Sequence, residues 1–230
     1  ERVLRAIARV TEAGRAIARA RGRVPAPTRA KTAIQRSGVL PEYEGKRLLA
    51  AAGFRTPEGA MACSADEAVA VAGRIGYPVV LKAQSAHLPH KTEVGGVALN
   101  IADEAQLRAA WARMHASDSA ARPDLLLDGV LVETMSPPGL EMVVAARRDP
   151  DWGPVLMLGV GGIWIEALHD IRLLPCDSNE QEIVRELQQH KAAKILSGWR
   201  GAPAVDVTAV AHVAARLSAV LRAHPELDEI

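Results

Sequence analysis

The chain has 230 residues, 49% hydrophobic and 24% charged, with a formal net charge of +1. That balance suits a globular protein with one substantial core or two small lobes around a cleft, and it excludes global disorder. The most apolar stretch, residues 154–168, contains glycines and Glu166 and falls short of the roughly 20 apolar residues a membrane-spanning helix needs.

Only seven side chains are aromatic (Tyr43, Phe54, Tyr77, Trp111, Trp152, Trp164 and Trp199), so Ala, Val, Leu and Ile must fill the core, as suits helices packed on sheets. Two isolated cysteines, Cys63 and Cys176, make no disulfide framework and point to a reducing, cytoplasmic setting. Residues 1–36 hold ten Lys or Arg against two Glu, leaving 18 basic and 25 acidic residues in the remainder. An Arg-rich helix can touch nucleic acid or acidic lipid, but the surplus here reads as a solvated helix face or linker, and neither a nucleic acid nor a membrane is expected as partner. The first residues do not read as a signal peptide.

In chain order, residues 1–21 place Leu4, Ile7, Ala8, Val10, Ala13 and Ile17 at helical spacing between arginines, an amphipathic helix. Residues 22–37, with Pro25 and Pro27, read as a linker, and the tail of a preceding domain is expected over 1–36. A helix over 41–52 ends at Gly53, an extended segment covers 55–61, and Ser64 caps a helix over 65–75 with Glu67 three residues on. Tyr77-Pro78 opens a strand at 79–83, and Gly95-Gly96 leads into a second at 97–101. A helix over 103–115 follows, then strands at 129–135, 140–147 and 154–160. Helices over 179–195 and 206–223 close the chain. Paired strands alternating with helices predict α+β lobes, over 37–122 and 123–230, in place of a doubly wound parallel sheet.

Four groups of residues carry chemistry. Lys82 ends the apolar run Val79-Val80-Leu81, where a charge calls for an anionic partner such as phosphate, or else snorkels to the surface. His90-Lys91-Thr92-Glu93-Val94-Gly95-Gly96 sets an imidazole, a cation and adjacent glycines between two strands. Glycines let main-chain N–H groups approach phosphate oxygens, though the pair also suits a plain hairpin turn. Glu133 ends one strand and Glu141 begins the next, two carboxylates placed to accept from ribose hydroxyls and an adenine amino group, or to solubilise an edge. Gly161-Gly162 with Glu166 and Asp170 offers oxygen ligands of the kind Mg²⁺ takes, or the acidic start of a solvated helix.

Together these elements resemble the ATP-grasp domain of ADP-forming acyl-CoA synthetases, and more distantly the beta subunit of succinyl-CoA synthetase. The likeness runs from about residue 38 to the end. It rests on Pro41-Glu42-Tyr43-Glu44-Gly45-Lys46, Gly76-Tyr77-Pro78-Val79-Val80-Leu81-Lys82, His90-Lys91-Thr92-Glu93-Val94-Gly95-Gly96, Val130-Leu131-Val132-Glu133, Glu141, Arg148-Asp149-Pro150, Gly161-Gly162-Ile163 with Glu166, and Gly198-Trp199-Arg200-Gly201. The resemblance implies an ATP-grasp fold with ATP or ADP held between two lobes. Lys82 then meets the phosphates with Lys46 assisting and Gly95-Gly96 above them, Glu133 and Met135 lie near the adenine, and Glu141 lies near the ribose. It implies Mg²⁺, with Glu166 as a candidate ligand, and His90 as a second phosphohistidine. The reaction implied converts acid, CoA and ATP to acyl-CoA, ADP and phosphate through an acyl phosphate and a phosphohistidine.

The principal carrier histidine of such enzymes lies in another domain, so CoA-binding and CoA-ligase-like domains or subunits are implied as partners; self-association is left open. In the family a short acidic strand with Asp and Asn-Pro follows the last helix and helps hold Mg²⁺; this sequence runs to Leu227-Asp228-Glu229-Ile230. Two other readings compete. A non-catalytic nucleotide-binding module of a multidomain acyltransferase requires no transfer to His90. A carboxylate–amine ligase of the same fold is disfavoured by the His90-Lys91-Thr92-Glu93 run.

Overall fold

A computed structural model describes residues 38–85, 95–121, 127–162, 165 and 170–230. They form α1 (Glu42–Ala51), β1 (Gly59–Ala62), α2 (Ala65–Ile75), β2 (Val79–Gln84), β3 (Val97–Ile101), α3 (Glu104–Ala121) and β4 (Gly129–Thr134). These are followed by β5 (Met142–Asp149), β6 (Gly153–Val160), β7 (Ile171–Pro175), α4 (Glu180–Gln188), α5 (Ala193–Leu196) and α6 (Val207–Ala223). The chain divides into two compact units, with the boundary between Pro138 and Gly139. No described helix is long and apolar enough to cross a membrane.

The first sheet has the order β1-β4-β2-β3, and each of its pairings is antiparallel. Side chains alternate across a strand, so Val79, Leu81 and Ala83 of β2 and Val130 and Val132 of β4 face one side. There they bury against Ala68, Val71 and Ala72 of α2 and Leu107, Ala110 and Met114 of α3. Each such large apolar side chain contributes about 1.5–3 kcal/mol when fully buried. The opposite face carries Val80, Lys82 and Gln84 of β2 with Leu131 and Glu133 of β4, since Val80 pairs with Glu133 and Lys82 with Leu131.

Local signals set the helix ends. Helix α1 stops where Gly53 takes φ +80°, and the N–H of Phe54 returns to Leu49 O at 2.9 Å, an ending that glycine favours. Ser64 Oγ accepts the Glu67 N–H at 3.2 Å, while Glu67 Oε2 accepts the Cys63 N–H at 2.7 Å, securing both sides of the α2 start. Helix α3 runs on to Ala121, beyond the end expected near residue 115.

Strand β4 lies between β1 and β2 in this sheet, so the first unit extends to Pro138, whereas the reading from sequence drew the division at residue 122. The connection from β1 through α2 to β2 therefore crosses over β4, a neighbour supplied by a much later part of the chain.

In the second unit β5, β6 and β7 form an antiparallel sheet in chain order. Ala146, Leu156, Leu158 and Leu174 are buried, together with Ile183 and Leu187 of α4 and Leu217 and Leu221 of α6. β7 is a strand that the sequence reading did not anticipate. The long helix expected over 179–195 is interrupted: α4 ends at Gln188 and α5 begins at Ala193. At the break, the Asp170 carboxylate accepts the main-chain N–H of Lys191, a tertiary bond that competes with helix continuation. The last residues add to the outer edge of β5, with Arg147 bridged to Glu229 and the Ile230 N–H donating to Ala146 O at 2.8 Å.

Candidate functional site

The first unit gathers two lysines and two glutamates on the sheet face opposite α2 and α3. Lys46 lies one helical turn after Glu42 on α1, and its Nζ is 2.7 Å from Glu42 Oε1. The same ammonium donates to both Glu133 oxygens at 2.6 Å. Lys82 Nζ donates to Glu42 Oε1 at 2.8 Å and to Glu133 Oε2 at 3.1 Å. Two strands and one helix thus bring together residues separated by 40 to 87 positions along the chain.

Glu133 is 2% exposed, a burial that a lone carboxylate would resist, and two ammonium partners compensate it. Gly59 makes the room: a Cβ there would lie 2.3 Å from Val132 O and 2.7 Å from Glu133 Cγ. Burial alone would lower the pKa of Lys82, but the hydrogen bond and charge of Glu42, followed by those of Glu133, outweigh it and hold the ammonium above its ordinary value. Lys82 is therefore a permanent cation at neutral pH. Gln84, fully buried, braces the group: its Oε1 accepts the Tyr43 N–H at 3.2 Å and its Nε2 donates to Lys82 O at 3.1 Å.

Of the residues expected at a site, Lys46, Lys82 and Glu133 are brought into direct contact. Gly96 precedes Val97, the cross-strand partner of Lys82, and its carbonyl accepts the Ala83 N–H at 2.8 Å. Gly95, at φ +76°, borders a groove between β3 and α3 with Val97, Gln106 and Arg113. Met135 follows β4, and its N–H donates to Pro78 O at 3.2 Å. His90 and Glu166 lie outside the described residues. Glu42, Gly59 and Gln84 had no assigned role in the sequence reading. The i,i+4 spacing of Glu42 and Lys46 was the available signal, while the strand pairings that place Gly59 and Gln84 are non-local.

In the second unit Glu141 stands over the glycine pair. Its carbonyl accepts the Gly161 N–H at 2.8 Å, and a Cβ on Gly162, whose φ is +57°, would sit 2.7 Å from Glu141 Oε2. The glycines at 161 and 162 therefore let a carboxylate lie against the backbone. Asp170 also contacts Nδ1 of the buried His190, off the direction of a hydrogen bond. Among the described residues, no three His, Cys, Asp or Glu side chains are grouped as metal ligands.

The family profile for the ATP-grasp domain matches residues 31–230. The chain belongs to the ATP-grasp family. Its relatives include the ADP-forming acetate–CoA ligase I subunit beta of Pyrococcus furiosus, 35% identical over 191 residues, which span 83% of this chain and 82% of the subunit. Trans-feruloyl-CoA synthase FCS1, from an unknown prokaryotic organism, is 43% identical over 194 residues, 84% of this chain but 27% of that protein. Thus the chain spans about a quarter of that longer relative. Among solved structures, dinucleotide forming acetyl-coenzyme A synthetase 1 of Ca. Korarchaeum cryptofilum, in complex with coenzyme A, Ca-AMPCP and HgCl+, superposes with a TM-score of 0.80. It is 33% identical, with 83% of each chain covered. The two antiparallel sheets with flanking helices are the ATP-grasp architecture expected from the sequence.

Proposed function

We propose that this chain is the nucleotide-binding part of an ADP-forming acyl-CoA synthetase, with Lys82 and Lys46 as the seat for the nucleotide's phosphates. The observation that carries the reading is the convergence of these two ammonium groups on the same carboxylate oxygens. A pair of cations held within hydrogen-bond distance of one anionic position can receive another anion there, and phosphate oxygens match that demand. ATP-grasp membership and the nucleotide analogue in the solved relative support it.

In this reading Glu133 and Met135 border the adenine, Glu141 takes the ribose hydroxyls, and Gly95-Gly96 offers main-chain N–H groups to the phosphates. His90 attacks the γ-phosphorus through an imidazole nitrogen as the bond to the departing ADP oxygen breaks, and the cations offset the charge on the transferred group. Mg²⁺, arriving with the nucleotide, would neutralise the phosphates. Among the described residues no three His, Cys, Asp or Glu side chains are grouped, and Glu166 is the candidate ligand from outside them. The acid, CoA and the main phosphohistidine belong to partner domains or a partner subunit, in a cytoplasmic enzyme.

Calorimetric titration with Mg-ADP tests the reading. The chain should bind Mg-ADP, and Lys82→Ala should weaken it; no binding, or binding indifferent to Lys82, would overturn the assignment. Incubation with Mg-ATP and the partner domains should then label His90, and an unlabelled His90 with intact nucleotide binding would favour the regulatory-module reading.

A further inference from the structure

The loop between α5 and α6 carries a group that the nucleotide reading leaves unused. Trp199 is 52% exposed, and two cations stand over its ring, Lys194 Nζ at 5.9 Å and the Arg200 guanidinium carbon at 6.0 Å from the centroid. An indole attracts cations through its quadrupole but carries no charge, so it gathers the two without neutralising either. Among the described residues neither cation has a carboxylate partner. Residues 189–205 hold Lys191, Lys194 and Arg200 but no Asp or Glu. The carboxylates that adjoin this segment are engaged elsewhere: Asp170 accepts the Lys191 N–H, Glu186 faces Arg172 at 3.6 Å, and Asp206 Oδ1 accepts the Ala209 N–H at 2.9 Å.

The backbone holds this display still. Arg200 takes φ +51° between Gly198 at +90° and Gly201 at +87°, a conformation that a side chain makes unfavourable and that persists only where its surroundings enforce it. Here the Val205 N–H donates to Leu196 O at 2.8 Å and the Ala202 N–H to Trp199 O at 3.0 Å, while buried Leu196 anchors the start of the loop. Residues 199–204 are nonetheless all exposed. Such a run suits contact with a macromolecule, because small ligands are held in concave sites. Trp and Arg are over-represented among the anchors of protein interfaces, and cations without partners call for carboxylates. The chain spans 27% of the longer relative FCS1, so a protein of that length has other parts to seat.

We infer that the surface formed by Lys194, Trp199 and Arg200 is a docking site for the rest of the enzyme, which meets it with an acidic segment: carboxylates pair with the two cations while an apolar side chain covers the indole. The inference rests on the reading of this chain as one part of a larger synthetase. Because the backbone is fixed beforehand, docking orders little of the loop.

Hydroxyl-radical oxidation of Trp199 and acetylation of Lys194, read by peptide mass spectrometry and normalised to the denatured protein, compare this chain alone with the full-length enzyme. Both rates should fall about fivefold or more in the full-length enzyme, as a contact that excludes water requires. Equal rates in the two overturn the inference. Protection of the isolated chain that is lost on dilution assigns the surface to a second copy and overturns it as well. In the full-length enzyme, Lys194→Gln with Arg200→Gln should return Trp199 oxidation to the rate of the isolated chain, whereas Lys194→Arg with Arg200→Lys should keep the protection. Protection indifferent to both pairs overturns the acidic partner. Should the glutamine pair fail to fold, the unaltered enzyme at about 1 M salt, where the Debye length is ~3 Å, gives the same answer: Trp199 oxidation should rise, and unchanged protection overturns the charged contact. Failure of the underlying reading looks different, since ADP binding is then absent or independent of Lys82 whether or not Trp199 is protected.

Discussion

The two units hold their partly buried cations in different ways, and the difference separates binding groups from structural ones. In the first unit Lys46 and Lys82 are matched by carboxylates, groups that another anion can replace. In the second, Arg148 of β5 donates to three main-chain carbonyls: Nη2 to Leu221 O at 2.6 Å and His224 O at 3.1 Å, and Nε to Leu227 O at 2.9 Å. Those acceptors are the end of α6 and the turn after it. A guanidinium bonded to backbone fixes the path of the chain and has nothing to exchange. A strand cation is thus a candidate binding group when its partners are mobile charges, and a staple when they are carbonyls.

The sharpest way to break that comparison is Arg148→Met. Three acceptors lose a charged donor, and stability should fall by about 3 kcal/mol in calorimetry or urea unfolding. A fall below about 0.5 kcal/mol would show that the staple is unimportant. Lys82→Ala should act in the opposite sense, leaving Glu133 paired with Lys46 but weakening ADP binding by about 30-fold. If it destabilised the fold more than it weakened ADP, the contrast between the two cations would fail.

A smaller effect is expected from Gly59→Ala, whose new methyl would meet Val132 O and the Glu133 side chain. Overpacking of this kind costs about 1–3 kcal/mol, and the displaced carboxylate should disturb ADP binding as well. Smaller again is the pH dependence of Lys82. Its pKa is raised on folding, so its contribution to stability is fully present below the ordinary lysine value of 10.5 and is lost as pH rises through the folded-state value. The stability difference between the unaltered chain and Lys82→Met should therefore be flat through neutral pH and shrink only in strong alkali. Loss of that difference near neutrality would show that the Glu42 and Glu133 contacts do not hold the ammonium. Least perturbing is thiol labelling: Cys63 is exposed, whereas burial raises the Cys176 thiol pKa. One thiol should react in the native chain and two after unfolding.

Much of the architecture was legible because its signals are local. Gly53 and Ser64 with Glu67 mark helix ends that the structure reproduces, and at the helix start expected near 179 the structure adds a capping box of Asn179 with Glu182. Short continuous apolar runs announced β2, β4 and β6 in both position and type. Strand β7 escaped because Ile171 and Leu173 are exposed while Leu174 is buried, a run without clean alternation. The break between α4 and α5 escaped because its cause, the Asp170 carboxylate, sits 21 residues away. At the candidate site Lys46, Lys82 and Glu133 were each marked by type and place, but nothing local said that they touch.

From its own residues the chain determined which segments are helix or strand and that charged groups must end the apolar strands, since caps, glycine turns and side-chain periodicity act over a few positions. Only the tertiary structure decided that β4 enters the sheet between β1 and β2, and that Glu42 reaches Lys82. Both depend on bringing distant segments together, which is settled by the summed burial of the sheet's apolar face and not by any short run of sequence.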